Sequence, residues 1–232
     1  MKTKLVVKSV MNHDYFKHEK TKAVTAILNN WGYDYRPFVD NLWHGWPSKQ
    51  EHFIKSVHEL EDDVTHIMFI DAADVVLLCG EEELMDRWSD FNHPWVYNAE
   101  PHIWPHGSFL PSDYPTPDVR YRYLNAGVSL GEVAHIRKWF DKWTDSSDSL
   151  PICKRDDQYW MTEHFIKSYP DAINLDTNCD LFQCMCGSDM HTIRTPGRVH
   201  NNITNTDPSV IHFNGGTNIC DEDRRGLWEH LV

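Results

Sequence analysis

Long apolar runs are missing from this 232-residue sequence. Near its start, Leu5-Val6-Val7 stands alone between Lys4 and Lys8. That is far too short for the apolar core of a secretion signal or for a membrane span, which takes about 20 residues. The expectation is a soluble, cytoplasmic protein with no membrane partner. Basic residues are scarce as well: 22 Lys and Arg stand against 35 Asp and Glu, a formal net charge of −13. Broad nucleic-acid or membrane-binding surfaces need a basic face, so both are disfavoured as partners. A nucleotide-sized ligand is still allowed, because a bound cation can neutralise its phosphates. Paired C-x-x-C motifs are absent too. Cys179, Cys184 and Cys186 form the one cluster among six cysteines, and their spacing fits no zinc site. In a reducing compartment they are read as free and partly buried. Repeats, low-complexity tracts and interdomain linkers are also lacking, so residues 1–232 are read as one domain, large enough to bury a sizeable core.

What is present is aromatic and alternating. Ten Trp, nine Tyr and ten Phe are many for this length; most belong in the core, and some are expected to line a cleft where flat faces stack on sugars or bases. A strand over Lys4 to Val10 precedes a helix from about Tyr15 to Asn29 that stops near Gly32. Tyr33 to Val39 follows as a second strand. This βαβ opening puts Ser9 and Val10 at a strand's carboxyl end, where a nucleotide base or ribose fits. Ser48 and Glu51 have the spacing of a capping box for a helix that buries Phe53, Ile54, Val57 and Leu60. Strands are also expected at Pro94 to Ala99 and at Val210–Phe213, and Tyr123–Gly131 leads into a helix containing Val133, Ile136, Trp139 and Phe140. The segment from Pro101 to Arg120 is a long loop, a kind usually functional or mobile. Helices and strands alternate, which indicates α/β.

The chain is organised around His66-Ile67-Met68-Phe69-Ile70-Asp71-Ala72-Ala73-Asp74. Four consecutive apolar residues read as a strand buried on both faces. Ligands of open α/β sheets bind outside the carboxyl ends of such strands, where Asp71 and Asp74 stand. Two carboxylates on one turn repel each other unless a cation lies between them. The alternative is a solvated turn with Asp74 as a cap. Asp156 and Asp157 likewise divide between helix capping and chemistry, Asn125 before Ala126-Gly127 between a turn and a contact, and His212 between a core histidine and a ligand.

Their order along the chain resembles a known family. Phe69-Ile70-Asp71-Ala72-Ala73-Asp74-Val75-Val76, Asn98-Ala99-Glu100, Trp104-Pro105, Tyr123-Leu124-Asn125-Ala126-Gly127, Asp156-Asp157-Gln158, Asn174-Leu175-Asp176, Leu181-Phe182-Gln183 and Val210-Ile211-His212-Phe213-Asn214-Gly215 together resemble the glycosyltransferase domain of collagen lysyl hydroxylases and procollagen glycosyltransferases. The resemblance implies a GT-A fold, with a Rossmann-like mixed sheet flanked by helices. It also implies an enzyme that moves a hexose, glucose or galactose, from a UDP-sugar to a hydroxyl acceptor on a protein, a glycan or a modified base. Asp71, Asp74 and His212 would then hold Mn²⁺, or Mg²⁺, a hard cation suited to carboxylate, imidazole and phosphate ligands. Asp156, Asp157 and Asn125 would stand at the transferred sugar. Glu100, Trp104 and Gln158 fall on the acceptor side. Lys49, Trp43 or Trp46, Gly215 and the positions of Ala73 and Asn218 fall on the donor side.

Three positions depart from the family. Ala73 stands where a tyrosine commonly stacks on uracil, Asn218 where a lysine commonly contacts the diphosphate, and Phe213 where a small residue is usual. With no hydroxylase segment in this sequence, a stand-alone viral, phage or bacterial enzyme with an acceptor other than collagen is expected. Two other readings remain: a non-catalytic nucleotide-sugar-binding module, and a phage glucosyltransferase acting on hydroxymethylated DNA bases through a basic patch around Arg120 and Arg122 or Arg194 and Arg198.

Overall fold

A computed structural model describes residues 3–144, 156–186, 191–194, 197–215 and 222–232. In chain order it contains β1 (Leu5–Lys8), β2 (Val10–Asn12), α1 (His13–Lys17), α2 (Glu19–Trp31), β3 (Phe38–Asp40), α3 (Trp46–His58), β4 (His66–Ile70), β5 (Val75–Leu77) and α4 (Glu81–Ser89). Then follow β6 (Trp95–Glu100), β7 (Tyr123–Glu132), α5 (Val133–Thr144), α6 (Asp157–Ser168), β8 (Asn174–Asp176), β9 (Phe182–Cys184), β10 (His191–Arg194), β11 (Arg198–Asn201), β12 (Val210–His212) and α7 (Glu222–Leu231).

The main sheet has the order β1-β4-β7-β6-β8. β1 runs parallel to β4 and β8 parallel to β6, while β7 runs antiparallel to both of its neighbours. The apolar run of β4 is buried from Ile67 to Ile70 and alternates between two cores, as side chains of a strand must. Ile67 and Phe69, with Val6 of β1, join Phe53, Phe140 and Trp160 from α3, α5 and α6. Met68 and Ile70, with Leu5 and Val7, join Val24 and Leu28 of α2 and Leu84 of α4 on the opposite face. Each of these large side chains contributes about 1.5–3 kcal/mol by leaving water. A second sheet, β5-β12-β9, carries β12 antiparallel to β5 and parallel to β9. It brings the end of the chain back beside the Asp71–Asp74 turn.

Several boundaries differ from the sequence reading. The first strand breaks at Ser9 into β1 and β2, because β2 leaves β4 to pair with β3. Most of Tyr33–Val39 is not strand: Tyr35 makes an isolated bridge to Val7 and only Phe38–Asp40 forms a ladder. Ser48 does not cap α3. The helix begins two residues earlier, with Gly45 at the cap in a left-handed conformation (φ 109°) and Pro47 in the first turn. Ser48 is buried, and its hydroxyl accepts from the backbone N–H of His44 at 3.0 Å. Asn125 shapes no turn either; it lies within the ten-residue β7, opposite Asn98, where the pairing with β6 shifts register.

Candidate active site

A cleft of about 490 Å³ opens at the carboxyl end of β4. It is lined by Val10, Trp43, Trp46, Lys49, Asp71, Ala73, Asp74, Glu100, Trp104, Asn125, Asp156, Asp157, Gln158, His212 and Gly215, so nearly all the residues singled out above share one cavity. Ser9 is the exception. It is fully buried with its hydroxyl 2.5 Å from that of Tyr35, so the side chain points into the fold and not to a ligand. Asn218 lies outside the described residues.

Asp71 follows the last residue of β4, and its N–H donates to the Gly127 carbonyl at 2.7 Å, which ties the turn to β7. Asp74 is held from the other side, its carbonyl accepting from Phe213 N–H at 2.8 Å. His212 ends β12. Its Nε2 lies 3.5 Å from Asp71 Oδ2 and 3.7 Å from Asp74 Oδ1. One donor atom from each residue falls within 4.8 Å of the others, and these three form the only such group among the described residues. Gly127 makes room for it. A Cβ on Gly127 would sit 2.1 Å from His212 Cε1 and 2.7 Å from Asp71 Oδ2. The concavity therefore exists only with glycine there, a requirement invisible in the sequence. Phe213, the bulky departure, points away and packs on Trp228 at 5.2 Å.

Charge is arranged in opposition across the floor. Lys49 is buried and its Nζ lies 2.7 Å from Asp71 Oδ1 and 2.5 Å from Asp157 Oδ2. Burial alone would favour a neutral lysine, but the charges of Asp157 and Asp71 overcome it and hold the ammonium protonated. Burial would likewise raise the Asp71 pKa, yet Lys49 and His212 bring it down to about 2. Burial also works against a charge on His212, and the Asp74 and Asp71 carboxylates reverse that and raise its pKa. A field that favours a proton at His212 also favours a dication. Burial pushes the Asp157 carboxyl up, Lys49 opposing.

Behind the floor, Glu100 gathers amides. Its Oε1 accepts from Gln158 Nε2 (2.6 Å) and Asn125 Nδ2 (3.3 Å), and its Oε2 from Asn214 Nδ2 (2.9 Å). Burial raises its pKa to about 7 against these donors. Gln158 also donates to the Leu124 carbonyl and accepts from Ala126 N–H, so its amide is committed to the fold. Asn125 accepts from Gly127 N–H at 2.9 Å. Asp156 both lines the cleft and caps α6, its Oδ1 accepting from Tyr159 N–H at 3.1 Å. Glu100, Asn125, Gln158 and Asn214 thus lock the strand bearing Gly127 to α6 and to the segment after β12. Sequence reasoning named three of these four without the bond pattern, and missed Asn214.

The rim is looser. Trp43 and Trp46 meet edge to face at 6.2 Å, with Trp46 52 % exposed. Trp104 is 47 % exposed across the cleft.

Residues 45–220 match the family model described as the PLOD GT domain. Procollagen-lysine,2-oxoglutarate 5-dioxygenase 1 of Mus musculus is 31 % identical over 174 residues, covering 70 % of this chain and 22 % of that protein. An uncharacterised protein of Acanthamoeba polyphaga mimivirus is 32 % identical over 153 residues, 64 % of this chain and 31 % of its own length. The chain thus spans less than a third of either relative. Among solved structures, the galactosyltransferase LgtC in complex with donor and acceptor sugar analogues superposes with a TM-score of 0.55 at 14 % identity, covering 98 % of this chain and 95 % of that one. A glycosyltransferase involved in glycosylation of the major capsid of PBCV-1 gives 0.54 at 12 % identity, covering 98 % of both chains. The mixed sheet is that of the GT-A fold, as the motif order implied.

Proposed function

Because this chain belongs to the PLOD GT domain family, we propose that it is a metal-dependent glycosyltransferase that moves a hexose, glucose or galactose, from a UDP-sugar to a hydroxyl group. The observation that carries this reading is the convergence of Asp71, Asp74 and His212 over the space that Gly127 leaves open. Two carboxylates and an imidazole at the mouth of a cleft suit Mn²⁺ or Mg²⁺, which take oxygen and nitrogen ligands and keep positions for phosphate. These three residues would hold the cation, whose contribution when bound is Lewis-acid stabilisation of charge on a departing diphosphate.

The remaining residues divide into a donor and an acceptor side. Val10, Trp43 and Trp46 offer apolar faces for the base and ribose, and Gly215, with no side chain, permits backbone approach to phosphate. Asp156, the cap of α6, and Asp157, on its first turn, are the groups for sugar hydroxyls and for the acceptor's proton. Asp157 is engaged by Lys49 through Oδ2, whereas Asp156 commits only Oδ1 to its cap. Trp104 supplies an exposed aromatic wall for a sugar or other flat acceptor. A DNA acceptor is disfavoured by the net charge of −13, and two of the basic positions, Arg122 and Arg198, are paired with Asp118 and Glu83. No helix among the described residues is long and apolar enough to cross a membrane.

The test is donor hydrolysis with a panel of UDP-, GDP- and ADP-sugars, each with Mn²⁺ or EDTA, read as released nucleotide. Mn²⁺-dependent release from one UDP-sugar, lost in Asp71→Ala, is the expected result. Ala73 lines the cleft where the family commonly has a tyrosine, which favours a second reading, a binding module without turnover. Nucleotide binding with no release from any donor would select that reading.

A further inference from the structure

Lys49 stands where an enzyme of this design has most need of explanation. Its ammonium is nearly sealed from water, with the side chain 6 % exposed. It lies 5.8 Å from the centre of the Trp46 ring and 5.7 Å from that of Phe69. The Asp71 carboxylate is divided by it: Oδ1 faces Lys49 at 2.7 Å while Oδ2 faces His212 at 3.5 Å. A cation of the protein and a cation of the solvent would therefore draw on one carboxylate from its two oxygens.

Two effects of opposite sign follow. The contact to Oδ1 fixes the Asp71 side chain with Oδ2 toward the triad, which helps a metal. The positive charge offsets the negative charge that Asp71 can offer, which hinders one. The first effect is small, because Asp71 has few torsions and its backbone is already pinned to Gly127. The second acts where little water screens it and is the larger. Of the carboxylates beside this charge, Asp157 is held by Lys49 itself, leaving Asp74 as the one unshared ligand of its kind. An incoming diphosphate would bring back the negative charge that Lys49 offsets.

We propose that Lys49 is a resident cation that keeps the Asp71–Asp74–His212 site weak toward free divalent ions and makes tight metal binding conditional on a nucleoside diphosphate. This rests on the metal reading of the site given above. By linkage, whatever factor the diphosphate adds to metal affinity, the metal adds to diphosphate affinity, so donor capture and metal capture become one event.

The experiment follows free Mn²⁺ by its electron paramagnetic resonance signal, titrating the full chain with and without saturating UDP. Wild type, Lys49→Met and Lys49→Arg are compared, with circular dichroism as the check on folding. Lys49→Met is expected to bind Mn²⁺ alone about tenfold more tightly, within the usual range of such couplings, and to gain less from UDP. Lys49→Arg keeps the charge and should stay near wild type. Should Lys49→Met fail to fold, Lys49→Met/Asp157→Asn, which leaves neither charge unpaired, is compared with Asp157→Asn and should show the same tightening. Mn²⁺ bound no more tightly than in wild type once Lys49 is removed would overturn the inference, leaving the metal site standing. Absence of Mn²⁺ binding in every variant, with and without UDP, would remove the metal reading and this inference with it.

Discussion

The floor of the cleft and its rim are built by opposite means. On the floor, Asp71, Gly127, Asn125, Gln158, Glu100 and His212 come from three separate strands, the turn after β4 and a helix, and nearly every polar atom has a partner in the fold. Displacing one of these side chains moves several. On the rim, Trp46 (52 % exposed) and Trp104 (47 % exposed) sit on a first helical turn and a loop, with much of their surface in water. The contrast teaches that chemistry and selectivity have separate foundations here. A rigid floor suits a reaction that demands fixed distances, and a loosely held rim can change without disturbing it.

Substitutions should respect that division. Gly127→Ala is expected to have the largest effect, because its Cβ would meet His212 at 2.1 Å. Mn²⁺-dependent donor hydrolysis should fall at least about 100-fold, as for loss of a preorganised transition-state contact, with the far-ultraviolet circular dichroism retained. Wild-type rates would refute the role given to that glycine. Glu100→Gln comes next. An amide cannot accept from three amide donors as the carboxylate does, so turnover should drop about 10- to 100-fold, a loss of roughly 2 kcal/mol from a buried charged acceptor. A KM change alone, with kcat untouched, would place Glu100 on the rim side of the division.

Asp176→Asn should act on stability alone. Its Oδ2 accepts from the N–H groups of both Leu181 and Phe182, and Oδ1 from that of Asp180. Asparagine must turn its NH₂ toward one of these oxygen positions, at a cost of about 2 kcal/mol in denaturant unfolding. Burial raises the Asp176 pKa from 3.8 to about 7, against those donors. A native pKa above the unfolded one means that the native state binds the extra proton between these values. The contribution of this group to stability therefore rises as pH falls from about 7 toward 4, and is lost as pH rises through 7. Asp176→Asn should remove that part of the pH dependence of Tm; an unchanged pH profile would disprove it. Leu42→Ser, in the exposed loop between β3 and α3 (86 % exposed), should shift stability by less than about 0.5 kcal/mol. A larger loss would show that this loop is more tightly built than its exposure indicates.

What the sequence disclosed follows the same line. The run Ile67 to Ile70 was legible because burial on both faces removes alternation and leaves an unbroken apolar word. The residues Asp71, Asp74, Asp156, Asp157 and His212 were legible because their order matches the family's motifs. Features that depend on close approach across distant segments left no local trace. Gly127 reads as part of a turn after Asn125, and only the fold shows that it faces His212. Ser9 sits at a strand end as expected, yet Tyr35 takes its hydroxyl into the interior. The capping signal at Ser48 and Glu51 was outweighed by Gly45 and Pro47, which start α3 earlier. The β10–β11 hairpin and α7 carry weak periodicity of their own and went unread.

β12 has a consequence for how the molecule comes to life. It pairs with β5, the strand that directly follows the Asp71–Asp74 turn, and it delivers His212 to that turn from far along the chain. During synthesis the two aspartates leave the ribosome long before the histidine, so a half-made chain would hold two of the three ligands of the metal site proposed above. Capture of a metal at that site would then be a certificate of completion, obtainable only once the late strand has zipped against the early one.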